Sequence, residues 1–212
     1  ENLIYLKELE NLTFLSLTNK NKNIPNNVIA LGISAYSQID AITDFLKSEK
    51  KKKTIILIPN AQYKDELTEA ISRSDYKFSQ IYSYDIEPNK LTSQIEQITK
   101  YNERKKKLER RIKILENSTS EINTTELNNL KKRYTLGKVN FDSVVIADFG
   151  ENLKSIINSF SYADVSAEDV TFITMNQWFD ETLFNEASIN KAYFPSISYK
   201  NYFKYNKKYF KE

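Results

Sequence analysis

The chain of 212 residues contains no cysteine and no histidine. Their absence excludes disulfides, the usual zinc ligands, thiol nucleophiles and every catalytic triad that uses a histidine base. Candidate carboxylates for acid–base chemistry include the pair Asp180 and Glu181 and the isolated Asp148. Acids of this kind near Trp178 are more often helix caps, because Asp and Glu favour the first turn of a helix. We therefore expect no enzymatic activity, no metal site and no cofactor.

Glycine is scarce as well, with 3 residues in the chain, where about 7% is usual. Neither GxGxxG nor GxxxxGK[ST] occurs, so the sequence offers no glycine-rich loop for a nucleotide phosphate. No run reaches the roughly 18 apolar residues that suggest a membrane span, so we expect a chain that is not transmembrane. The opening ENLIYLKELENL lacks the cationic start and apolar centre of a signal peptide. Because the chain starts on a helical pattern without Met, we interpret it as a fragment or processed form.

Charge is nearly balanced, with 31 Lys and Arg against 28 Asp and Glu and a net charge of +3. This balance argues against a nucleic-acid partner, since duplex binders carry a clear basic face. The exception is NERKKKLERRIKILEN at residues 102–117, which holds seven Lys and Arg and three Glu. The segment has three interpretations: a nucleic-acid-binding arm, a coiled-coil element for a partner, or a surface insertion. Its charge pattern favours a solvated face with one apolar seam, and it lacks the exposed aromatics that stack on bases.

Short apolar runs alternate with amphipathic helices along the chain. This alternation, at this spacing, predicts a parallel sheet with right-handed crossovers. The predicted strands cover residues 12–17, 27–33, 54–60, 78–84, 141–149, 169–175 and 191–196. The predicted helices cover residues 34–48, 63–74, 88–115, 151–160 and 199–210.

A helical hairpin is predicted in the middle of the chain. An apolar stripe with spacings of three, four or seven residues predicts one long helix over residues 91–115. A polar turn and a second helix follow, with Leu127, Leu130 and Tyr134 on one side. We expect deletion of residues 104–132 to leave a folded core. The stripe consists of Leu91, Ile95, Ile98, Tyr101, Leu108, Ile112 and Leu115.

The final stretch, YKNYFKYNKKYFKE, alternates aromatic residues with lysines. Binding of single-stranded nucleic acid is one interpretation of this alternation. Helical periodicity favours a second one, in which the aromatic residues share a buried face and the lysines lie in water. The aromatic residues of that face are Tyr199, Tyr202, Phe203, Tyr209 and Phe210.

Several longer stretches occur in a recognisable order: TIILIPNAQYKDELTEAI, FDSVVIADFGENLKSIINSF, VTFITMNQWFDETLF and KAYFPS. They resemble the strand–loop–helix units of type I periplasmic binding proteins of the branched-chain amino-acid-binding kind. YNERKKKLERRIKILEN followed by LNNLKKRYTLGKVNFDSVVIADFG more specifically resembles the penicillin-binding protein activator branch. The resemblance implies that the basic helix is an insertion characteristic of that branch.

The resemblance implies an α/β fold, a doubly wound parallel sheet that is incomplete in this chain and carries the inserted helical hairpin. Residues 1–33 would be the end of lobe one, and residues 34–88 the first part of lobe two. Residues 89–137 would form the hairpin. Residues 138–212 would complete lobe two and return toward lobe one.

Proteins of this kind close on a small ligand with loops at the carboxyl ends of strands. The position of the amino-group-binding Glu of those relatives is occupied by Asn152 here. Loss of that charge-assisted hydrogen bond to ammonium argues against amino-acid binding. The resemblance implies ligand-binding roles for Thr18, Asn19, Tyr63, Asp148, Phe149 and Trp178.

The resemblance further implies a non-enzymatic binding-protein-like domain that regulates cell-wall synthesis, in the periplasm or at the outer membrane. Its expected partners are an envelope protein, such as a cell-wall synthase or a transporter, and a small-molecule ligand, with no nucleic acid. The alternative is the substrate-binding component of an ABC importer for amino acids or similar solutes. An enzyme of unknown type is the third hypothesis.

Overall fold

The computed structural model describes residues 3–19, 23–117, 121–176 and 191–209. The chain divides into two compact units, Glu1–Glu49 with Gln62–Lys77 and Lys50–Ala61 with Phe78–Glu212. The division into lobes that the sequence suggested stays a prediction.

The first unit pairs two short parallel strands and continues into two helices. Ser34 caps the first helix as predicted, because its hydroxyl oxygen accepts from the backbone N–H of Ser37 at 3.2 Å. A Cβ at Gly32 would lie 2.4 Å from the carbonyl oxygen of Thr18, so only glycine fits there. The elements are a 3-10 helix at Leu3–Glu8, β1 at Phe14–Ser16, β2 at Val28–Ala30, α1 at Ala35–Ser48 and α2 at Lys64–Arg73.

The second unit is built on a four-stranded sheet in the order β4-β3-β5-β6, with all neighbours parallel. This arrangement confirms the predicted doubly wound parallel sheet and the predicted neighbours at residues 54–57, 144–147 and 172–174. The strands are β3 at Thr54–Pro59, β4 at Gln80–Tyr84, β5 at Ser143–Ile146 and β6 at Thr171–Thr174. The described helices are α3 at Pro88–Ile98, α4 at Tyr101–Glu116, α5 at Glu121–Leu130, α6 at Gly150–Tyr162 and α7 at Tyr199–Tyr209.

One face of this sheet packs against α3 and α6. Every second residue of the strands points to that face, which is the period expected of a pleated strand. The Phe160 ring of α6 meets Phe141 and Phe172 edge-on, with ring centroids 6.4 and 5.5 Å apart. The core residues of this layer include Ile55, Leu57, Val144, Ile146, Phe172, Leu91, Ile95, Leu153, Ile156 and Phe160.

Asp142 fixes the amino ends of β3 and β5. Its carboxylate accepts from the backbone N–H groups of Lys52 at 3.0 Å and Lys53 at 3.1 Å, and from the hydroxyl of Ser143 at 2.8 Å. Burial raises the pKa of Asp142, but these hydrogen bonds outweigh burial and hold the pKa below its usual value. These hydrogen bonds join the chain before β3 to the start of β5, and so they fix the register that places Thr54 opposite Ser143.

The prediction of one long helix over residues 91–115 is wrong, because α3 and α4 are separated by a break at Lys100. Lys100 adopts a left-handed conformation with φ of 53°, which is uncommon for a residue with a side chain. The Thr99 hydroxyl donates to the Ile95 carbonyl at 2.8 Å and so takes part in ending α3. Each of the two helices therefore packs against a different hydrophobic core. Leu91 of α3 packs on the sheet, whereas Leu108 of α4 packs with α5.

The helices α4 and α5 share a small core that is separate from the sheet. Leu108, Leu115 and Leu130 are its buried members. Tyr134, predicted to lie along the same seam, is 73% exposed. The prediction failed because α5 ends at Leu130 and the helical repeat stops with it; Leu136 packs against this core instead.

The strand predicted over residues 191–196 is reduced to one bridge between Tyr193 and Ile173. The Tyr193 N–H donates to the Phe172 carbonyl at 2.9 Å, and the Tyr193 carbonyl accepts from the Thr174 N–H at 2.8 Å. Pro195 follows two residues later and has no N–H to extend a ladder. The pairing therefore stops after one residue.

The buried aromatic face predicted for the last helix is wrong for the described residues of α7. Tyr202, Phe203 and Tyr209 are 48%, 42% and 58% exposed. The rings pack within the helix, with centroids 6.2 Å apart for Tyr202 and Phe203 and 4.6 Å apart for Tyr205 and Tyr209. Helical periodicity shows which residues share a face but does not supply an element to cover it.

Arg104, at the start of the basic helix, is buried with 6% exposure. Its Nε donates to the Gly137 carbonyl at 3.1 Å and its Nη1 to the Ala163 carbonyl at 3.1 Å. Its Nη2 donates to the Thr135 hydroxyl at 2.7 Å and to the Asp164 carbonyl at 2.9 Å. Burial lowers the pKa of Arg104 from its usual value, against the opposing effect of the Asp164 carboxylate. The first turn of α4 is therefore bound to the end of α6, and a deletion that begins at residue 104 removes this attachment.

We predict that Arg104→Met destabilises the protein by about 3 kcal/mol, because several buried acceptors lose their donor at once. The matched control is Arg110→Met, which removes an exposed arginine from the same helix and should change stability by less than about 0.5 kcal/mol. Urea denaturation of the three proteins measures both values. Equal stability of the two variants would show that the buried guanidinium does not anchor α4.

Candidate functional site

The strand order creates a topological switch point between β3 and β5, because β4 lies on one side of β3 and the later strands lie on the other. In open parallel sheets, small ligands bind beyond the carboxyl ends of the strands at such a point. Asn60 follows β3 there, Tyr84 ends β4, and Asp148 and Phe149 follow β5. This edge is the candidate site of the second unit.

Asp148 is held inside this edge and is 2% exposed. The Tyr84 hydroxyl donates to its Oδ2, and the Phe149 backbone N–H donates to its Oδ1 at 2.8 Å. Tyr84 is itself 1% exposed, so the pair joins the end of β4 to the loop after β5 within the protein interior. Asp148 thus positions the loop from inside, and a ligand-binding role for it stays a prediction.

Phe149 presents apolar surface at the switch point. Its backbone is extended, with φ of −137° and ψ of 161°, and its carbonyl accepts from the Leu153 N–H at 3.3 Å as α6 begins. Its side chain is 43% exposed. Gly150 follows with φ of +54°, a conformation that favours glycine and turns the chain sharply into the helix. The ring is therefore placed where the sequence predicted an aromatic wall, although contact with a ligand stays a prediction.

The other predicted ligand-binding residues belong to the first unit or lie outside the described residues. Thr18 and Asn19 follow β1 in the first unit, and the Thr18 carbonyl accepts from the Gly32 N–H at 3.2 Å. Tyr63 is half-buried at the start of α2, where its carbonyl accepts from the Leu67 N–H at 3.1 Å. Trp178 lies outside the described residues, as do Asp180 and Glu181. The structure thus joins Asp148 and Phe149 in one loop, and the remaining assignments stay predictions.

Sequence reasoning missed Tyr84, the residue that holds Asp148. A buried tyrosine hydroxyl usually has a hydrogen-bond partner, so a tyrosine at the end of a predicted strand was the available signal. No group of three or more potential ligands for a metal ion gathers among the residues that the structure describes. None of the described helices is both long enough and apolar enough to cross a membrane.

The outer face of α4 is strongly basic. Lys105, Lys106, Arg110 and Lys113 are exposed, as the sequence predicted. Arg111, by contrast, donates to both carboxylate oxygens of Glu126, at 2.8 and 3.0 Å. Across residues 3–19, 23–117, 121–176 and 191–209, none of Lys105, Lys106, Arg110 and Lys113 has a carboxylate partner. We call these four residues the basic face.

We predict that Tyr84→Phe destabilises the protein by about 1–3 kcal/mol, because it leaves a buried oxygen of Asp148 without the phenol donor. Tyr82→Phe on the same strand is the control, since Tyr82 is half-buried and bonds to the exposed Gln80. The control should shift stability by less than about 0.5 kcal/mol. Chemical denaturation distinguishes the two, and a Tyr84→Phe variant as stable as the parent would contradict the assigned role of the pair.

Comparison with known proteins shows a similarity of fold. No family model and no curated protein match the chain. The structure of full-length LpoA from Haemophilus influenzae matches 98% of this chain and 33% of its own, at 10% identity and a TM-score of 0.53. An extracellular ligand-binding receptor from Verminephrobacter eiseniae matches 82% of this chain and 42% of its own, at 7% identity and a TM-score of 0.46. The chain spans less than half the length of either protein. The likeness to LpoA, a penicillin-binding protein activator, confirms the periplasmic-binding-protein-like α/β fold that the sequence resemblance implied.

Proposed function

We propose that this chain is a non-enzymatic binding-protein-like domain of the cell envelope that regulates cell-wall synthesis by contacting a synthase. The observation that carries the proposal is the fold likeness to LpoA, which extends over 98% of the chain. The domain would work in the periplasm or in association with the outer membrane. Its activity would be recognition of another protein, with no chemical step.

The basic face of α4 supports a protein partner. Its four exposed cations have no carboxylate partner in the described part of the chain, so their charge is available to an acidic surface. Such charges increase the rate of encounter and fix the register of a complex more than they add to its affinity. The lack of stacking aromatics among them argues against single-stranded nucleic acid as the partner.

The carboxylates near the carboxyl edge of the second unit argue against capture of an amino acid. Asp148 accepts from Tyr84 and from the Phe149 N–H. Glu151 pairs with Lys154 at 2.8 Å, and Asp85 pairs with Lys90 at 3.1 Å. Among the described residues, an ammonium group at any of these three carboxylates would therefore have to displace an existing donor, and Asn152 supplies no charge in its place.

The second candidate is the substrate-binding component of an ABC importer for an amino acid or a similar solute. The exposed ring of Phe149 at the switch point favours it, since ligand pockets are lined largely by apolar and aromatic groups. This candidate predicts saturable binding of a small solute without any synthase.

The deciding experiment measures binding of the chain to purified cell-wall synthases of the same organism by interferometry, together with their rate of glycan polymerisation. The double variant Lys106→Glu with Arg110→Glu should weaken binding about tenfold, because two favourable charge contacts become repulsive. The control, Lys7→Glu with Lys77→Glu, makes the same charge change at exposed residues outside α4 and should leave binding unchanged. Both variants should keep their stability within about 0.5 kcal/mol.

Four outcomes would contradict the proposal. The first is that the parent chain binds none of the synthases, and the second is that the two double variants weaken binding equally. The third is micromolar binding of one of the twenty amino acids in calorimetry, in the absence of synthase contact, which would establish the importer component. Sub-micromolar binding to random DNA at physiological salt would instead make α4 a nucleic-acid arm.

A further inference from the structure

A polar pocket of about 540 Å³ lies where the helical hairpin joins the second unit. Its lining comes from the segment before β5 and from the segment between α6 and β6. Both segments lead into the amino ends of strands, so the pocket lies at the edge of the sheet opposite Asp148 and Phe149. Its volume falls within the range of small-molecule sites, roughly 300–1,000 Å³. The charged or hydroxylated lining residues are Arg104, Arg133, Thr135, Lys138, Asp164 and Asp169.

The two carboxylates of this pocket are already engaged by donors. The Thr135 hydroxyl donates to Asp164 Oδ2 at 2.5 Å, and Arg104 Nη2 lies 3.9 Å from the same oxygen. Asp169 Oδ2 accepts from the Ser166 hydroxyl at 2.8 Å. Each carboxylate therefore has part of its hydrogen-bonding capacity met within the protein.

Of the three cations that line this pocket, only Arg104 is engaged by partners within the described part of the protein. Arg104 donates hydrogen bonds to the carbonyls at the end of α6. Arg133 and Lys138, by contrast, are exposed at the pocket. In the part of the chain that the structure describes, neither of these two side chains has a hydrogen-bond or ion-pair partner. The lining carries three cations and two carboxylates, so the net charge of the pocket is +1.

We propose that this pocket binds a small molecule through an oxyanion, either a phosphate or a pair of carboxylates. Arg133 contacts the anion with its planar fork of donors, which matches phosphate and carboxylate geometry. Lys138 supplies a second, mobile charge from the loop before β5. Arg104 and Thr135 shape the floor and hold the loop that carries Lys138. The site is separate from the switch point, so a ligand bound here does not contact Phe149.

The test uses the full chain and two probes, pyrophosphate for phosphate chemistry and citrate for carboxylate chemistry, titrated by calorimetry at fixed ionic strength. At least one probe should bind saturably at one site. Arg133→Gln with Lys138→Gln should weaken that binding about tenfold or more, since it removes two charge-assisted contacts. The control is Lys7→Gln with Lys77→Gln, an equal loss of charge at exposed residues outside both the pocket lining and the basic face, and it should change binding less than about twofold.

Amide NMR identifies the location of the bound probe. The resonance of Gly137, in the pocket, should shift on titration, and that of Gly150, at the opposite edge of the sheet, should not. Three results would overturn the proposal: neither probe binds saturably, the two double variants weaken binding equally, or the shift appears at Gly150 instead. None of these results bears on synthase contact through the basic face, so this site and the proposed function can fail separately.

Discussion

The buried guanidinium of Arg104 is the interaction on which the attachment of the helical hairpin depends. Removing a cation from water costs several kcal/mol unless nearly all of its donors find acceptors. Arg104 finds two of them in the carbonyls of Ala163 and Asp164 at the end of α6, where the helix dipole is negative. The same guanidinium bonds Thr135 and Gly137. One residue therefore positions the base of α4, the segment before β5 and the turn after α6 together.

The sheet was predictable because its central strands are nearly uninterrupted apolar runs, and a short run rich in isoleucine such as TIILIP is typical of an interior strand. The break at Lys100 was not predictable in the same way. The apolar residues keep their helical spacing on both sides of Lys100. The sequence pattern therefore shows no interruption between α3 and α4. Arg104 lies three residues after Tyr101 and four before Leu108, and the stripe itself therefore marked it as an inward position. Its charge concealed that signal, since a lysine- and arginine-rich helix suggests a solvated face.

The candidate site was likewise predictable only in part. Asp148 and Phe149 were predicted because the carboxyl ends of parallel strands are where ligands bind. Tyr84 was missed because its contact with Asp148 depends on strand order, with β3 lying between β4 and β5, and strand order is a property of the whole sheet. The exposed rings of α7 show the same limit, because amphipathicity sorts residues between faces without specifying what lies against them.

The central claim is that Arg104 holds the hairpin through hydrogen bonds that act together, and a double-mutant cycle with Thr135 tests it most directly. The cycle compares Arg104→Met, Thr135→Val and the double variant by urea denaturation at neutral pH. The hydroxyl of Thr135 accepts from Arg104 at 2.7 Å and donates to Asp164 at 2.5 Å. We therefore expect a coupling free energy of about 1–2 kcal/mol. Losses that add to within about 0.3 kcal/mol would contradict the account.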